Sequence, residues 1–221
     1  MVIAHNIAAI SNQLPARVTL ICVSKYHPIE AIKEAYNAGQ RHFGESRVQE
    51  LVKKQAQLPQ DIVWHYIGHI QTNKIKQLLP LVSFIHGVDS VNHLLAIDSE
   101  AKKTGKVVSC LLQVHIAQED SKFGFSEDEL LGFLQSNALK VLQNTRICGL
   151  MGMATYTTNT EQIRTEFAGL QQLFEQLKRS IFVNNDAFCE LSMGMSDDYP
   201  IAIEAGSTMV RIGSRIFGPR I

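Results

Sequence analysis

The sequence has no excess of either charge and no long hydrophobic run. Its 221 residues contain 21 Lys and Arg against 21 Asp and Glu, so the formal net charge is zero. Because nucleic-acid affinity comes largely from neutralising phosphates, this balance excludes a broadly basic nucleic-acid binder and leaves room for a small local anion site. No apolar run approaches the roughly 20 residues of a membrane-spanning helix. We therefore expect neither nucleic acid nor membrane as a partner.

Cysteine is scarce and scattered. Cys22, Cys110, Cys148 and Cys189 lie far apart in apolar segments, and none belongs to a C-x-x-C pair. Such spacing is typical of reduced thiols in an intracellular protein. The first ten residues also lack the basic cluster and the small-residue cleavage site of a secretory signal. We expect four buried thiols, no disulfide and a cytoplasmic location.

Short apolar runs alternate with segments of helical periodicity along the whole chain, a pattern typical of α/β proteins. No linker or low-complexity tract interrupts it. Eight strand and helix units in one chain favour a closed (β/α)8 barrel over a doubly wound open sheet. The predicted strands are 19–25, 42–45, 63–68, 83–88, 107–116, 146–153, 188–193 and 209–213, and the predicted helices are 28–39, 46–56, 73–79, 91–103, 127–134 and 161–177.

Lys25 closes the first predicted strand. In a barrel, chemistry lies at the carboxyl ends of the strands, so the ammonium group would face the top of the barrel among apolar neighbours such as Val23. Desolvation lowers the pKa of a lysine toward neutrality, and a neutral amine can form a Schiff base with a carbonyl. The alternative is an ordinary surface lysine where a strand leaves the sheet.

Two glycine turns follow the last two predicted strands. Gly213 and Ser214 lie in one, and the segment LSMGMSDD at 191–198 contains the other. Backbone N–H groups and hydroxyls at such turns hold phosphates, which barrels bind after strands seven and eight. Together the turns indicate a phosphate site. We expect Ser196 and Asp197 to cap a helix rather than to take part in chemistry.

Two pairs of residues admit alternatives. His65 and His69 have the spacing of a zinc-binding helix, but Tyr66 stands where that motif requires glutamate, so we expect a strand and a turn without a metal. Met151 and Met153 are expected in the core. Of the two, Met151 is favoured for contact with a ligand.

Six motifs occur in a recognisable order: VSK at 23–25, FGES at 43–46, IGHIQTNK at 67–74, GLM at 149–151, LSMGMSDD at 191–198 and GSTMVRIG at 206–213. Together they resemble the pyridoxal phosphate homeostasis proteins, a family related to the barrel domain of alanine racemase. The resemblance extends over essentially the whole chain. It implies one domain over residues 1–221, a barrel of the type III pyridoxal phosphate fold without the C-terminal β domain of the racemases.

The resemblance also implies a cofactor and the residues that hold it. Lys25 would carry pyridoxal 5'-phosphate as a Schiff base, and Arg211 would face the pyridine nitrogen. The chain departs from the family at Ser46, where asparagine is common and serine is shorter. Glu45 and Arg47 match the family, although an ion pair at the strand end explains them equally well. The implied cofactor-binding residues are Lys25, Ser46, His69, Asn73, Met151, Ser192, Met193, Arg211, Gly213 and Ser214.

The implied arginine bears on activity. An arginine keeps its proton, so a pyridine nitrogen facing Arg211 stays largely unprotonated and is a poor electron sink. Racemisation also needs a second acid or base on the opposite face of the cofactor, which the related racemases take from an additional domain of a partner subunit. The chain ends at Ile221. We therefore expect a monomeric cytoplasmic carrier or regulator of pyridoxal phosphate, which buffers it or delivers it to apo-enzymes and so influences amino-acid and keto-acid metabolism indirectly. The alternative is a weak amino-acid racemase or lyase.

Overall fold

The computed structural model describes residues 2–118 and 123–219. Within these residues, parallel strands pair in chain order and the last pairs with the first, which closes a barrel. The predicted (β/α)8 barrel is therefore confirmed. The strands are Thr19–Val23 (β1), His42–Glu45 (β2), Val63–Tyr66 (β3), Phe84–Val88 (β4), Val108–Gln113 (β5), Thr145–Met151 (β6), Glu190–Ser192 (β7) and Met209–Ile212 (β8).

Helices connect the strands on the outside of the barrel. None of those in the described part of the chain combines the length and the apolar character that a membrane crossing requires. They are Val2–Ser11 (α1), Ile29–Asn37 (α2), Val48–Gln55 (α3), Ile75–Leu78 (α4), Val91–Thr104 (α5), Glu127–Gln135 (α6), Thr160–Arg179 (α7), Tyr199–Glu204 (α8) and Ser214–Phe217 (α9).

Local sequence signals account for several helix boundaries. Ser126 and Glu129 form a reciprocal capping box at the start of α6, and the Ser90 hydroxyl accepts from the His93 N–H at the start of α5. Gly105 ends α5 in the left-handed conformation. Helix α1 was not predicted. It packs against α2 and α9 and buries Ile7 and Ile10, so tertiary contacts explain it.

The buried apolar residues form two clusters. The larger one is apolar and lies between the barrel and its helices. The smaller cluster consists of strand residues and contains Ile21, Leu111 and Met209. The buried set also includes polar side chains from the strands, among them His86 and Arg211. The strands therefore bury hydrogen-bonding groups that need partners inside the protein.

Several strands end earlier than predicted. Strand β1 ends at Val23, and the chain then turns, with Tyr26 in the left-handed conformation at φ +68° and the His27 N–H donating to the Ser24 carbonyl. Lys25 thus lies in the turn above the barrel instead of closing the strand. Strand β6 also ends earlier than predicted, at Met151, so Met153 lies beyond it.

The cysteine prediction was wrong at one position. Cys22, Cys110 and Cys148 are buried as expected, whereas Cys189 is exposed, and all four are free thiols. Cys189 lies immediately before β7, and there the neighbouring Phe188 fills the apolar core. Burial raises the pKa of the Cys22 thiol to about 12. The buried thiols are therefore protonated and unreactive at neutral pH.

Candidate functional site

A cavity of about 330 Å³ opens at the carboxyl ends of β1, β6, β7 and β8. Lys25, Arg211, Gly213 and Ser214, which lie far apart in sequence, all line it. This volume falls within the roughly 300–1,000 Å³ of small-molecule sites. A larger depression of about 490 Å³, beside Thr145 and Arg146, lies at the amino ends of the strands. Barrel chemistry occurs at the carboxyl ends, and the cavity of about 330 Å³ is the one there that gathers Lys25 with Arg211, so it is the candidate site.

The backbone on both sides of Lys25 is held by side chains of helix α3. Lys54 Nζ donates to the Ser24 carbonyl oxygen at 2.8 Å, and the Tyr26 N–H donates to Glu50 Oε1 at 2.7 Å. The left-handed conformation at Tyr26 is uncommon for a residue with a side chain and needs such support. Helix α3 therefore fixes the direction in which Lys25 leaves the barrel.

A buried ion pair anchors this arrangement. Lys54 Nζ donates to Glu45 Oε1 at 2.8 Å and to Glu50 Oε1 at 2.6 Å, and the Ser24 hydroxyl donates to the same Glu45 oxygen. Burial raises the pKa of the Glu45 carboxyl, and Lys54 partly offsets that rise. The second oxygen, Glu45 Oε2, is buried without a hydrogen-bond partner among the described residues. Glu45 thus depends on Lys54, because an unpaired buried carboxylate is strongly disfavoured.

The ion pair between Glu45 and Arg47 that the sequence allowed is not formed. Glu45 points inward to Lys54, while Arg47 is exposed and its guanidinium lies 4.8 Å from the centre of the Tyr26 ring. Arg47 therefore contributes to the turn that carries Lys25 by packing on an aromatic face.

Arg211 forms the floor of the cavity. Its Nη1 donates to the Ser192 carbonyl at 2.8 Å and to the Ser192 hydroxyl at 2.6 Å, and its Nη2 donates to the Gly152 carbonyl at 3.0 Å. Burial lowers the pKa of Arg211 to about 10, against an upward contribution from Asp198. The guanidinium is therefore still charged at neutral pH, and neutral oxygen atoms hold it in place.

The Ser192 hydroxyl and the Met193 N–H, both expected near the phosphate, have hydrogen-bond partners within the protein. The Ser192 hydroxyl is fully buried between Arg211 Nη1 and His86 Nδ1. The Met193 N–H donates to the Met209 carbonyl, and the Met193 side chain is buried. Neither residue lines the cavity.

The later part of the turn after β7, which contains Ser196 and Asp197, also differs from the prediction. We expected Ser196 and Asp197 to cap a helix, yet α8 begins after Asp198, and the Ser196 hydroxyl accepts instead from the Gly213 N–H. Ser196 and Asp197 line the cavity. A Cβ on Gly213 would lie 3.2 Å from the Val23 carbonyl, so this glycine permits close packing of β8 on β1.

The two methionines lie in different surroundings, and only Met153 lines the cavity. Met151 is 2% exposed and belongs to the smaller apolar cluster with Ile21 and Leu111. Met153 is 41% exposed and lines the cavity. Met151 is the last residue of β6 and faces the core, whereas Met153 follows the strand and lies above it.

Three of the cofactor-binding residues implied by the resemblance, Ser46, His69 and Asn73, lie outside the cavity lining. Ser46 is half-buried, and its carbonyl accepts from the Tyr66 hydroxyl. Asn73 is exposed on a short 3₁₀ turn before α4. His69 Nδ1 pairs with Asp89 at 3.0 Å. In the described ranges no three His, Cys, Asp or Glu side chains are arranged to hold a metal ion.

Residues 2–220 match the family of the alanine racemase N-terminal domain. The chain belongs to this family. Among its relatives, the pyridoxal phosphate homeostasis protein of Aquifex aeolicus is 42% identical over 202 residues, which is 91% of this chain and 86% of that protein. The protein of the same name from Synechocystis is 37% identical over 210 residues, which is 94% of each chain.

Solved structures of the family share the barrel. PipY of Synechococcus elongatus has a TM-score of 0.92 without pyridoxal phosphate and 0.89 with it bound. It is 38% identical to this chain, and each alignment covers 98% of this chain and 100% of PipY. Alanine racemase of Clostridium difficile, at a TM-score of 0.80 and 14% identity, shares the fold over 56% of its own length.

Sequence reasoning missed Lys54, Glu50 and His86. Lys54 looked like part of a solvated helix, because its neighbour Lys53 is also charged and is exposed. One signal was available for His86. Histidines occur once on each of three consecutive strands, at His42, His65 and His86. Parallel neighbouring strands bring such residues side by side.

Proposed function

We propose that the protein binds pyridoxal 5'-phosphate in the cavity at the carboxyl ends of the strands and takes part in its homeostasis. The observation that carries the proposal is that Lys25, Arg211, Gly213 and Ser214 line one cavity of about 330 Å³. The family supports it, because relatives carry the name pyridoxal phosphate homeostasis protein and PipY has been solved with pyridoxal phosphate bound.

The residues of the cavity fit this ligand. Arg211 places a buried positive charge and N–H donors where a pyridine nitrogen can accept. The Ser196 and Ser214 hydroxyls lie in the same cavity and are suited to the phosphate. Lys25, the half-buried lysine of this cavity, would form a Schiff base with the aldehyde. When bound, the cofactor supplies a reactive aldehyde that the cavity shields from other amines.

A carrier role follows from the arginine. Arg211 keeps its own proton at neutral pH, since its lowered pKa is still about 10. It would therefore donate a hydrogen bond to the ring nitrogen of a bound cofactor and leave that nitrogen unprotonated, which would limit how far the ring can withdraw electrons. Such a site suits reversible holding of the cofactor. Our proposal includes buffering or delivery to apo-enzymes, as a monomer in the cytoplasm.

Spectroscopy tests the linkage. The purified protein with added pyridoxal phosphate should show a visible Schiff-base band, and borohydride should fix the cofactor on the peptide that contains Lys25. Lys25→Ala should abolish the band, while Lys53→Ala, at an exposed lysine of α3, should keep it. A borohydride-trapped adduct of undiminished yield in Lys25→Ala would show that the linkage lies elsewhere.

Delivery and buffering can be distinguished by comparing the rate of cofactor transfer to an apo-enzyme with the rate of cofactor release. If the protein delivers the cofactor by docking, an apo-enzyme should acquire pyridoxal phosphate faster than the loaded protein releases it to a chemical trap. Equal rates support passive buffering. Sedimentation of the loaded protein gives the oligomeric state.

A second candidate is a racemase or lyase of small amino acids. The observation that favours it is that His27 and Tyr156, both able to exchange protons, line the cavity together with Lys25. The loaded protein should then convert members of a panel of L-amino acids, with products resolved by chiral chromatography. Turnover that persists in Lys25→Ala, or is absent in the wild type, would exclude this candidate.

A further inference from the structure

A chain of hydrogen bonds runs from the amino end of β2 to the floor of the cavity. His42 Nδ1 lies 3.0 Å from His65 Nε2, and His65 Nδ1 lies 2.9 Å from His86 Nε2. His86 Nδ1 lies 3.0 Å from the Ser192 hydroxyl, which lies 2.6 Å from Arg211 Nη1. The chain takes one residue from each of β2, β3, β4, β7 and β8. Its three histidines have no part in the proposed binding of the cofactor.

Arg211 fixes the direction of every hydrogen bond in this chain. A guanidinium can only donate, so the Ser192 hydroxyl accepts from Arg211. The Ser192 hydroxyl has one proton to donate, and His86 Nδ1 is the only other group that the described residues place within hydrogen-bond distance of this oxygen. His86 Nδ1 therefore accepts that proton, which makes His86 the Nε2–H tautomer. His86 Nε2–H then donates to His65 Nδ1, which leaves the proton of His65 on Nε2, and His65 Nε2–H donates to His42 Nδ1. The two buried rings, His65 and His86, thus share one tautomer.

Both inner rings are neutral. Burial lowers the pKa of His65 to about 3 and holds the pKa of His86 well below its usual range. A neutral imidazole of this tautomer has its lone pair on Nδ1 and its N–H on Nε2. In each ring the lone pair faces the Arg211 end of the chain. The dipoles therefore align with their negative ends toward the guanidinium.

We propose that His86, His65 and His42 form a polarised chain that stabilises the buried charge of Arg211 and holds its plane through Ser192. The three hydrogen bonds of the guanidinium in the cavity floor end on neutral oxygen atoms of Ser192 and Gly152. The carboxylate of Asp198 also favours the charge of Arg211, and the aligned dipoles add to that compensation through the Ser192 hydroxyl. The histidines are positioning residues. They are not a proton path, because the chain ends on a group that keeps its proton.

The tautomers are measurable without cofactor. In the full chain at neutral pH, ¹⁵N NMR of the histidine rings should show that Nδ1 of His65 and His86 is unprotonated and that Nε2 carries the proton. A protonated Nδ1 at His86 would reverse the chain and overturn the proposal. Since this readout needs no pyridoxal phosphate, it stands or falls separately from the proposed function.

A double-mutant cycle tests the coupling to Arg211. His86→Phe should lower the folding equilibrium constant about tenfold more in the wild-type background than in Arg211→Met, because the bond it removes serves a charged group. His86→Asn, which keeps a side-chain acceptor, should recover part of the loss. His93→Phe, at a histidine on α5 outside the chain, should show no coupling. Additive effects of His86→Phe and Arg211→Met would contradict the proposal.

Discussion

Lys54 donates from Nζ to the carbonyl oxygen of Ser24 at 2.8 Å, across a sequence separation of 30 residues. Ser24 precedes Lys25, and Glu50 of the same helix accepts from the N–H of Tyr26, the residue that follows it. One helix therefore holds the peptide groups on both sides of the lysine. The position of Lys25 is set by α3 as much as by β1.

Removing the Lys54 ammonium should disturb both stability and the linkage. Lys54→Met leaves Glu45 buried without its cation, which we expect to cost about 3–5 kcal/mol of unfolding free energy. It also frees the Ser24 carbonyl, so Schiff-base formation with added pyridoxal phosphate should slow severalfold. Denaturant unfolding and stopped-flow absorbance measure the two effects.

The neighbouring lysine is the matched control for this variant. Lys53→Met, at an exposed position, should change unfolding free energy by less than about 0.5 kcal/mol. Combining Lys54→Met with Glu45→Gln should recover stability, because the buried charge is removed with its partner. If Lys54→Met and Lys53→Met behave alike, the ion pair has no such role.

The place of the phosphate can be tested with pyridoxal, which lacks it. Ser214 lines the cavity, so Ser214→Ala should reduce the preference for pyridoxal phosphate over pyridoxal by about tenfold, as expected for loss of a hydrogen bond to a charged group. Ser192→Ala should leave that preference unchanged, because the Ser192 hydroxyl is bound to Arg211 and His86. Equilibrium titration gives both ratios. If Ser192→Ala lowers the preference and Ser214→Ala does not, Ser192 and not Ser214 contacts the phosphate.

Stability should fall as the pH drops below neutrality. His65 and His86 have folded-state pKa values below the usual 6.5, so the unfolded chain binds more protons than the folded one between the two values. Their contribution to the free energy of unfolding is complete above about pH 6.5. Below that pH it falls by about 1.4 kcal/mol per pH unit for each ring. Urea unfolding free energies measured between about pH 6.5 and 5 should show this slope. In His65→Phe it should be shallower, and an identical slope would argue against buried neutral rings.

Two glycines should respond to alanine in opposite ways. Gly194 has φ +96°, and a Cβ there would lie 2.6 Å from the Ala202 Cβ, so Gly194→Ala should cost at least about 1–2 kcal/mol. Its carbonyl also accepts from the Arg211 N–H, so the shape of the cavity floor should change. Gly132 lies in α6 with open space around it, and Gly132→Ala should stabilise by about 0.5–1 kcal/mol. Thermal unfolding of both variants checks the two signs.

The alternation of apolar runs and helical segments was enough to predict the barrel, because each strand and each helix carries its own periodicity. Strand ends were less well predicted. Lys25 was expected within β1, but the strand ends at Val23, since the turn at Tyr26 depends on contacts with α3. Both methionines were expected in the core, yet Met153 is exposed because β6 ends at Met151 and Met153 lies beyond the strand.

By itself, the sequence determined the fold and the gathering of Lys25, Arg211, Gly213 and Ser214, because the carboxyl ends of parallel strands meet at one end of a barrel. Only the tertiary structure decided which groups those residues contact. His86 and Ser192 are 106 positions apart, and their bond exists because strands on different sides of the barrel bury polar groups that must pair with each other. Local patterns show that a side chain is buried, whereas its partner is set by packing across the barrel.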